Sequence, residues 1–502
     1  MVIRFPVIVL SFTALLGGII YMLHLFGLAT PANEVYMRFC ALGLFIAGFA
    51  LLGWQKVKRH RFSWDDIYKN NTLIIFSLSI LLTSSFLYAQ VGLYTVGFLG
   101  GAAFLHFLYT RKFYPPPGFF YFILLYALLL FFGTIGTQKG FHFPDRTLSL
   151  YMLPLSVCFF QLSKKTLLRI GELFFKTAII FLAVCILYWW FNFLYLEVDF
   201  YNWITDKTVC SVEMVGWKEQ LKIVERIMGE VFGVEDTTSF PAYFFVTSWS
   251  HYYHPSFVSL VLFFGLITGF YLYHKKDVVP TITKFELILY IALCFFVMTL
   301  MESRIGLVGL LFIIVVTGFY YLKLKTKYFK IKLAVYLLLG GTSLFILNNT
   351  VSSFADDETR SSYRRIAVGY IQDNFWWGEG FRQQQIALEQ QAEIMKDVLP
   401  DAAHLQYGSP IFYSHNQFLG DMIQFGIWGL IALVAMLGAI AYYAIRNRSY
   451  LLQMMMFIVV LFMMIEEPLY VLHGTIRLVS FLVFFTAISE SMKKQNKNTI
   501  YA

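Results

Sequence analysis

The chain alternates between long apolar stretches and short polar connections. Each apolar stretch approaches the roughly 20 residues that a helix needs to cross a bilayer. The stretches are residues 5–28, 35–54, 73–88, 91–109, 119–134, 148–162, 177–196, 255–273, 285–301, 304–322, 333–349, 418–445, 451–465 and 469–489. Three of them are short, so the pattern predicts an all-α polytopic membrane protein with about 12–14 transmembrane helices.

Two long polar segments divide these stretches into groups. In the first segment Trp217, Leu221, Val224, Met228 and Val231 recur at helical spacing, which predicts an amphipathic helix that packs on the membrane or contacts substrate. The predicted regions are N-terminal transmembrane helices (1–196), a loop with the amphipathic helix (197–254), central transmembrane helices (255–349), a larger loop (350–417), and C-terminal transmembrane helices with a basic tail (418–502).

Composition agrees with a membrane protein and excludes an ordinary soluble enzyme. Hydrophobic residues make up 58% of the 502 residues and charged residues only 14%, about half the share of a typical soluble domain. Five scattered cysteines form neither a disulfide framework nor a metal-ligand pattern.

The net charge of +9 is explained by orientation rather than by nucleic-acid binding. With the N-terminus in the cytoplasm, every predicted inside loop is basic, as the positive-inside rule requires. The inside then holds 25 basic and 6 acidic residues, a net charge of +19, and the outside has a net charge of −10. This places both termini in the cytoplasm and both long loops outside.

Five of the arginines on this acidic outer side suggest an anionic ligand. Arginine grips phosphate well because its guanidinium offers a planar set of donors. The five are Arg304, Arg360, Arg364, Arg365 and Arg477. The alternatives are local: Arg304 could pair with Glu302, and residues 360–365 could form a self-paired surface helix after the acidic residues 356–358. A lipid-linked diphosphate fits the functional interpretation, because its phosphates lie at the interface and its tail in the bilayer.

Two histidines near the outer face are candidate site residues. His415 and Asn416 precede the predicted span at 418–445, with Asp421 close behind, and a histidine there can act as a general base. His473 and Arg477 are one helical turn apart and share a face. A structural ion pair in the last span is the alternative for the second pair.

Several common chemistries are absent from the sequence. There is no phosphate-binding G-x-x-x-x-G-K-[ST] loop, no H-E-x-x-H and no cysteine–histidine ligand spacing. We therefore expect neither a bound metal nor a cofactor.

Three motifs in residues 303–430 resemble the bacterial O-antigen ligase superfamily. This superfamily includes O-antigen polymerases and protein O-oligosaccharyltransferases. The motifs are Ser303-Arg304-x-Gly306, then YRRIAVGYIQDNFWWGEGF from residue 363, then SHNQFLGDMIQFGIWGL ending at residue 430. The insert between the second and third motifs is rich in glutamine and departs from the family pattern.

The resemblance implies a metal-independent membrane glycosyltransferase with a GT-C-like fold. It would move a glycan from undecaprenyl diphosphate to an acceptor hydroxyl, on a lipid such as lipid A-core or on a glycan, at the outer face of the bacterial cytoplasmic membrane. Of the candidates, His415 matches the family's base, and Arg304 with Arg364 or Arg365 match its donor-binding arginines. We assign Arg360 and Arg477 to the same diphosphate, with Glu302, Asn416, Asp421 and His473 as supporting residues.

Two further functions stay open at this stage. A polysaccharide polymerase would use the same donor with another lipid-linked repeat as acceptor. A lipid-linked oligosaccharide flippase or another transporter would also need many spans, but it favours internal repeats and binding residues at mid-membrane. The sequence has no such repeat, and its candidate residues gather at the outer face.

Overall fold

The computed structural model describes residues 71–86, 89–133, 148–195, 255–274, 282–300, 303–321, 358–381, 383–395 and 414–500. All regular secondary structure in these ranges is helical. The helices are α1 Thr72–Thr83, followed by a 3₁₀ turn at Ser84–Phe86, α2 Ala89–Thr110, α3 Phe119–Phe132, α4 Leu148–Val157, α5 Lys164–Tyr195, α6 Pro255–His274, α7 Lys284–Leu300, α8 Arg304–Tyr321, α9 Glu358–Asp373, α10 Gln384–Met395, α11 Gln417–Phe425, α12 Ile427–Arg446, α13 Tyr450–Met463 and α14 Leu472–Ile500. The predicted spans at 5–54 and 333–349 and the amphipathic helix lie outside the described residues.

Four of these helices are long and apolar enough to cross a membrane. They are Gly92–Thr110 in α2, Ser256–His274 in α6, Ile427–Arg446 in α12 and Gly474–Ser491 in α14. Five shorter apolar helices accompany them in the described part of the chain. The prediction of an all-α polytopic membrane protein is therefore confirmed.

Helix α6 lies at the centre of the bundle. It packs against α5, α7, α8, α13 and α14, and most of its side chains are buried. Helices α3 and α12 pack together at the periphery and expose Leu125, Phe132, Ile431 and Val434. Exposed apolar side chains on the outside of a helical bundle suit contact with lipid.

A second, smaller core lies at the end of the bundle where α6, α8, α12 and α14 begin, which we call the site end. It joins α9, α10 and α11 through residues such as Tyr363, Ile366, Leu388 and Ile423. Residues 360–365 lie in α9, which ends at Asp373, and a turn at 376–380 follows it.

The predicted span at 418–445 is wrong in one respect, because two helices replace the single helix. They separate at Gly426, whose φ of 62° is unfavourable for residues with a side chain. Here the chain meets the turn at 376–380: the Ile427 amide donates to the Phe375 carbonyl at 2.9 Å, and a Cβ on Gly426 would lie 2.4 Å from the Trp376 carbonyl oxygen. Asp421 therefore lies in a short helix ahead of the membrane-crossing helix.

The predicted connection around residues 163–176 also differs. Helix α5 begins at Lys164, so Lys164, Lys165 and Arg169 lie within a helix of 32 residues. Likewise, the predicted basic tail continues α14 as far as Ile500. Lysine and arginine are good helix formers, and their charge does not end a helix that extends from an apolar segment.

Candidate functional site

His415 lies in a tight turn immediately before α11. Its φ of 49° is left-handed, which is uncommon for any residue other than glycine. Asn416 caps the helix, since its side-chain oxygen accepts hydrogen bonds from the amides of Phe418 at 2.9 Å and Leu419 at 3.1 Å. The Asn416 amide group donates to the Met464 carbonyl at 3.2 Å, which ties the turn to the end of α13. The turn thus presents a histidine side chain that is 27% exposed.

A buried carboxylate lies behind this histidine. Nδ1 of His415 is 3.6 Å from Oε2 of Glu466, and Oε1 of Glu466 accepts a hydrogen bond from Ser256 at 3.1 Å. On the other side lies the ring of Tyr363 from α9, and the centroids of this ring and of the imidazole are 6.0 Å apart. A carboxylate facing Nδ1 leaves Nε2 as the nitrogen that can exchange a proton with a substrate.

The neighbouring carboxyl group, Glu467, holds the same turn. Its Oε1 accepts hydrogen bonds from the Ser414 hydroxyl at 2.5 Å and from the Gln384 amide at 2.9 Å. Its Oε2 is buried and has no hydrogen-bond partner among the described residues. Burial raises the pKa of Glu467, since removing a carboxylate from water disfavours its charged form.

Asp421 is fully buried in α11 and does not reach the His415 ring. Its carboxyl oxygens accept hydrogen bonds from Tyr126 of α3 at 3.0 Å, from Gln417 at 3.0 Å, and from Tyr470. Burial raises the pKa of Asp421 to about 7, although the three donors oppose this shift. Gln417 also accepts from the Leu469 amide at 3.0 Å, so this cluster joins α3, α11 and the turn before α14.

Arg477 is buried in α14, with 2% of its surface exposed. Its guanidinium donates to the Phe257 carbonyl at 3.4 Å. Phe257 follows Ser256, the residue that binds Glu466. The first turn of α6 therefore lies between the His415–Glu466 pair and this buried cation.

The structure distinguishes the two adjacent arginines of α9. Arg364 is partly buried, whereas Arg365 is exposed. Arg364 also follows Tyr363, the residue whose ring lies beside His415. Of these two arginines, the partly buried Arg364 is therefore the stronger candidate for a place in the site.

For three of the remaining predicted residues the structure describes only the backbone, and for the fourth it describes neither backbone nor side chain. Arg304 is the first residue of α8, after Ser303, whose hydroxyl lies 3.0 Å from that of Ser259 in α6. Arg360 lies in the first turn of α9 and His473 in the first turn of α14, and their side chains are outside the described part. Glu302 lies outside it altogether.

Sequence reasoning missed several participants in these contacts, among them Ser256, Gln384, Tyr126 and Tyr470. Gln384 belongs to the glutamine-rich insert, which carried no recognisable motif, and Tyr126 is one aromatic residue in an apolar run. Tyr470 lies just after two acidic residues. A hydroxyl within a predicted span was the available signal for Tyr126, since buried polar groups need partners. Within the described residues no group of three or more histidine, cysteine or acidic side chains could hold a metal ion.

Comparison with protein-family models finds a match. Residues 289–434 match the family described as O-Antigen ligase. This range contains Arg304, α9 and the His415 turn, and it ends before Glu466, Glu467 and Arg477. No curated protein matches the chain.

Proposed function

We propose that this chain, whose residues 289–434 match the O-antigen ligase family, transfers a glycan from undecaprenyl diphosphate to an acceptor hydroxyl. The reaction takes place at the outer face of the bacterial cytoplasmic membrane. In this proposal both termini lie in the cytoplasm, and the site end faces outward. The type we favour is an O-antigen ligase, with a lipid or glycan acceptor.

The observation that carries this proposal is that the first turn of α6 contacts both the buried Arg477 and Glu466, the partner of His415. One group can take a proton while the other stabilises a leaving anion, as glycosyl transfer from a diphosphate requires. The two are linked through the first turn of α6, since Ser256 binds Glu466 and the Phe257 carbonyl accepts from Arg477. Burying charged groups near a membrane is costly, which makes these residues functional candidates.

In the proposed reaction His415 acts as the general base. As the acceptor oxygen attacks the anomeric carbon, the bond from that carbon to the phosphate oxygen breaks, and Nε2 of His415 takes the acceptor proton. Glu466 keeps Nδ1 oriented and stabilises the charge that the ring gains. A positioned base of this kind contributes about 10²–10⁴-fold to the rate.

Arginine side chains stabilise the diphosphate that leaves with the bonding electrons. We assign this role to Arg477 and Arg364, together with Arg304 at the start of α8 and Arg360 one turn before Arg364. Arg365 is exposed and contributes less. Fixed positive charge in a water-poor site stabilises such an anion more strongly than it would in water.

Transfer by the purified full-length protein tests this proposal. The assay supplies a polyprenyl-diphosphate-linked glycan and follows its appearance on a lipid acceptor or on a second lipid-linked glycan, which separates a ligase from a polymerase. We expect His415→Ala to lose transfer by about 10²-fold or more. The matched control is His274→Ala, because His274 is the last residue of α6 and Ser256 lies at the other end of that helix.

Two results would overturn the proposal. One is undiminished transfer by His415→Ala at equal protein levels. The other is movement of the intact lipid-linked glycan across the membrane without transfer, which would indicate a flippase.

A further inference from the structure

The helix of the glutamine-rich insert makes direct contact with the turn that carries His415. Gln384 is the first residue of α10, and its side chain is 2% exposed. Its Nε2 donates to Oε1 of Glu467 at 2.9 Å, and its Oε1 accepts from Nε2 of Gln424 at 3.3 Å. Both ends of this buried amide are therefore engaged, one with the turn before α14 and the other with α11.

The oxygen that Gln384 binds is the same one that binds the histidine turn. Oε1 of Glu467 lies 2.5 Å from the hydroxyl of Ser414, the residue before His415. That hydroxyl is also 2.9 Å from the Asn416 carbonyl oxygen, so it spans the turn from one side of His415 to the other. A continuous series of contacts thus runs from Gln384 through Glu467 to Ser414.

The backbone of His415 needs this kind of support. A left-handed conformation at a residue with a side chain persists only where the surrounding structure imposes it. The Asn416 cap holds the turn from the α11 side, and the Ser414–Glu467 contact holds it from the α14 side. Gln384 fixes the Glu467 carboxyl group that makes this second contact.

Helix α10 is itself well anchored. Ala387, Leu388 and Ala392 pack in the small core against Ile366 of α9 and Ile423 of α11. Because α9 carries Arg364, the same core fixes the spacing between the donor-binding helix and the histidine turn. The insert helix therefore connects two parts of the site that are distant in sequence.

We propose that Gln384 is a positioning residue for the transfer reaction, acting on His415 through Glu467 and Ser414. The proposal rests on the function proposed above and deepens it. Gln384 does not touch the substrate; it keeps the imidazole at the acceptor hydroxyl. A base that is displaced by about 1 Å costs roughly 10²-fold in rate without weakening donor binding in proportion.

The test measures kcat and KM for the lipid-linked donor in the purified full-length protein. Gln384→Leu removes the amide, and Gln384→Asn shortens it beyond reach of Glu467 while staying polar, so that folding is retained. We expect both variants to lower kcat about 10- to 100-fold with KM for the donor unchanged. The matched control is Gln385→Leu, because Gln385 is the next residue and its amide binds Glu389 at the exposed surface.

A double-mutant comparison with Ser414→Ala gives a second readout. If Gln384 acts through Ser414, the double variant loses no more activity than the more affected single variant, because both substitutions interrupt the same series of contacts. Gln385→Leu combined with Ser414→Ala should show only the Ser414→Ala loss.

Some results would overturn this inference and leave the proposed function standing. These are a folded Gln384→Asn variant with the kcat of Gln385→Leu, or fully multiplicative losses in the Gln384→Leu, Ser414→Ala double variant, while His415→Ala abolishes transfer. Undiminished transfer by His415→Ala would instead overturn the proposed function, and this inference with it.

Discussion

Glu466 lies behind His415, with its Oε2 3.6 Å from Nδ1 of the imidazole. The carboxylate is buried and held by Ser256 at the start of α6. Glu466 comes from the turn between α13 and α14, far from His415 in sequence. The base of the proposed reaction is thus oriented by a residue beyond the 289–434 match.

We predict that Glu466→Gln lowers kcat about 10- to 100-fold, because the amide cannot stabilise the charge that the ring gains during transfer. The transfer rate should be measured from pH 5 to 9 in the natural protein and in Glu466→Gln. The loss should appear in kcat rather than in KM for the donor. Glu389→Gln is the control, since Glu389 is exposed on α10. Equal kcat values for Glu466→Gln and this control would contradict the prediction.

The arginine doublet of α9 gives a second prediction. Arg364 is partly buried and Arg365 is exposed, so lysine at the first position should weaken donor binding more than lysine at the second. Lysine keeps the charge but loses the planar set of donors that matches a phosphate. We expect about a tenfold effect on kcat/KM for Arg364→Lys and less than about twofold for Arg365→Lys. The reverse order would show that the exposed residue binds the donor.

Much of the fold follows from the sequence because hydrophobic length decides which segments cross a membrane. The break between α11 and α12 does not. Gly426 lies in a run that continues smoothly into an apolar helix, and the break depends on contact with the turn at 376–380. Since that contact joins segments far apart in the chain, local periodicity carries no sign of it.

The candidate site could also be predicted only in part, because local motifs are visible in the sequence and contacts between distant segments are not. The His415 turn and the arginines are local motifs and can be recognised along the chain. The partners that orient them, Glu466, Glu467 and Gln384, are brought in by packing of distant helices. Burial in the structure also distinguishes Arg364 from Arg365. The sequence could not distinguish them, because two adjacent arginines differ only in the direction that their side chains face.

The cluster around Asp421 predicts how stability depends on pH. The pKa of Asp421 is raised to about 7 in the folded protein, above its value of about 3.9 in an unfolded chain. Protons therefore bind the folded state more tightly, and the contribution to stability is complete below pH 4 and lost as the pH rises to 7. Asp421→Asn, which cannot ionise, should remove this part of the dependence.

Thermal unfolding in detergent between pH 4 and 8 measures this effect. We expect the Tm of the natural protein to fall more steeply over this range than the Tm of Asp421→Asn, by about 2–4 °C for each kcal/mol involved. Asp373→Asn is the control, since Asp373 is exposed at the end of α9. A Tm of Asp421→Asn that varies with pH as in the natural protein would contradict the prediction.

Substitutions at two glycines can distinguish the effect of the helix break from the effect of α12 itself. Gly426 caps α12 at its N-terminus, and Gly438 lies within it. Gly426 has a φ of 62°, and an added Cβ would lie 2.4 Å from the Trp376 carbonyl oxygen; Gly438 is helical and an added Cβ would meet nothing within 4 Å. Gly426→Ala should therefore destabilise the fold by about 1–3 kcal/mol. Gly438→Ala should stabilise it by about 0.5–1 kcal/mol, because alanine favours the helix.

The two substitutions should also differ in transfer activity. Forcing the chain apart at Gly426 displaces the turn at 376–380 and with it α11, whose first turn follows His415, so kcat should fall in Gly426→Ala even at temperatures where the protein is folded. Gly438→Ala should transfer glycan at the natural rate. Comparable kcat values for both variants, measured well below their Tm, would show that the break shapes the fold without positioning the site.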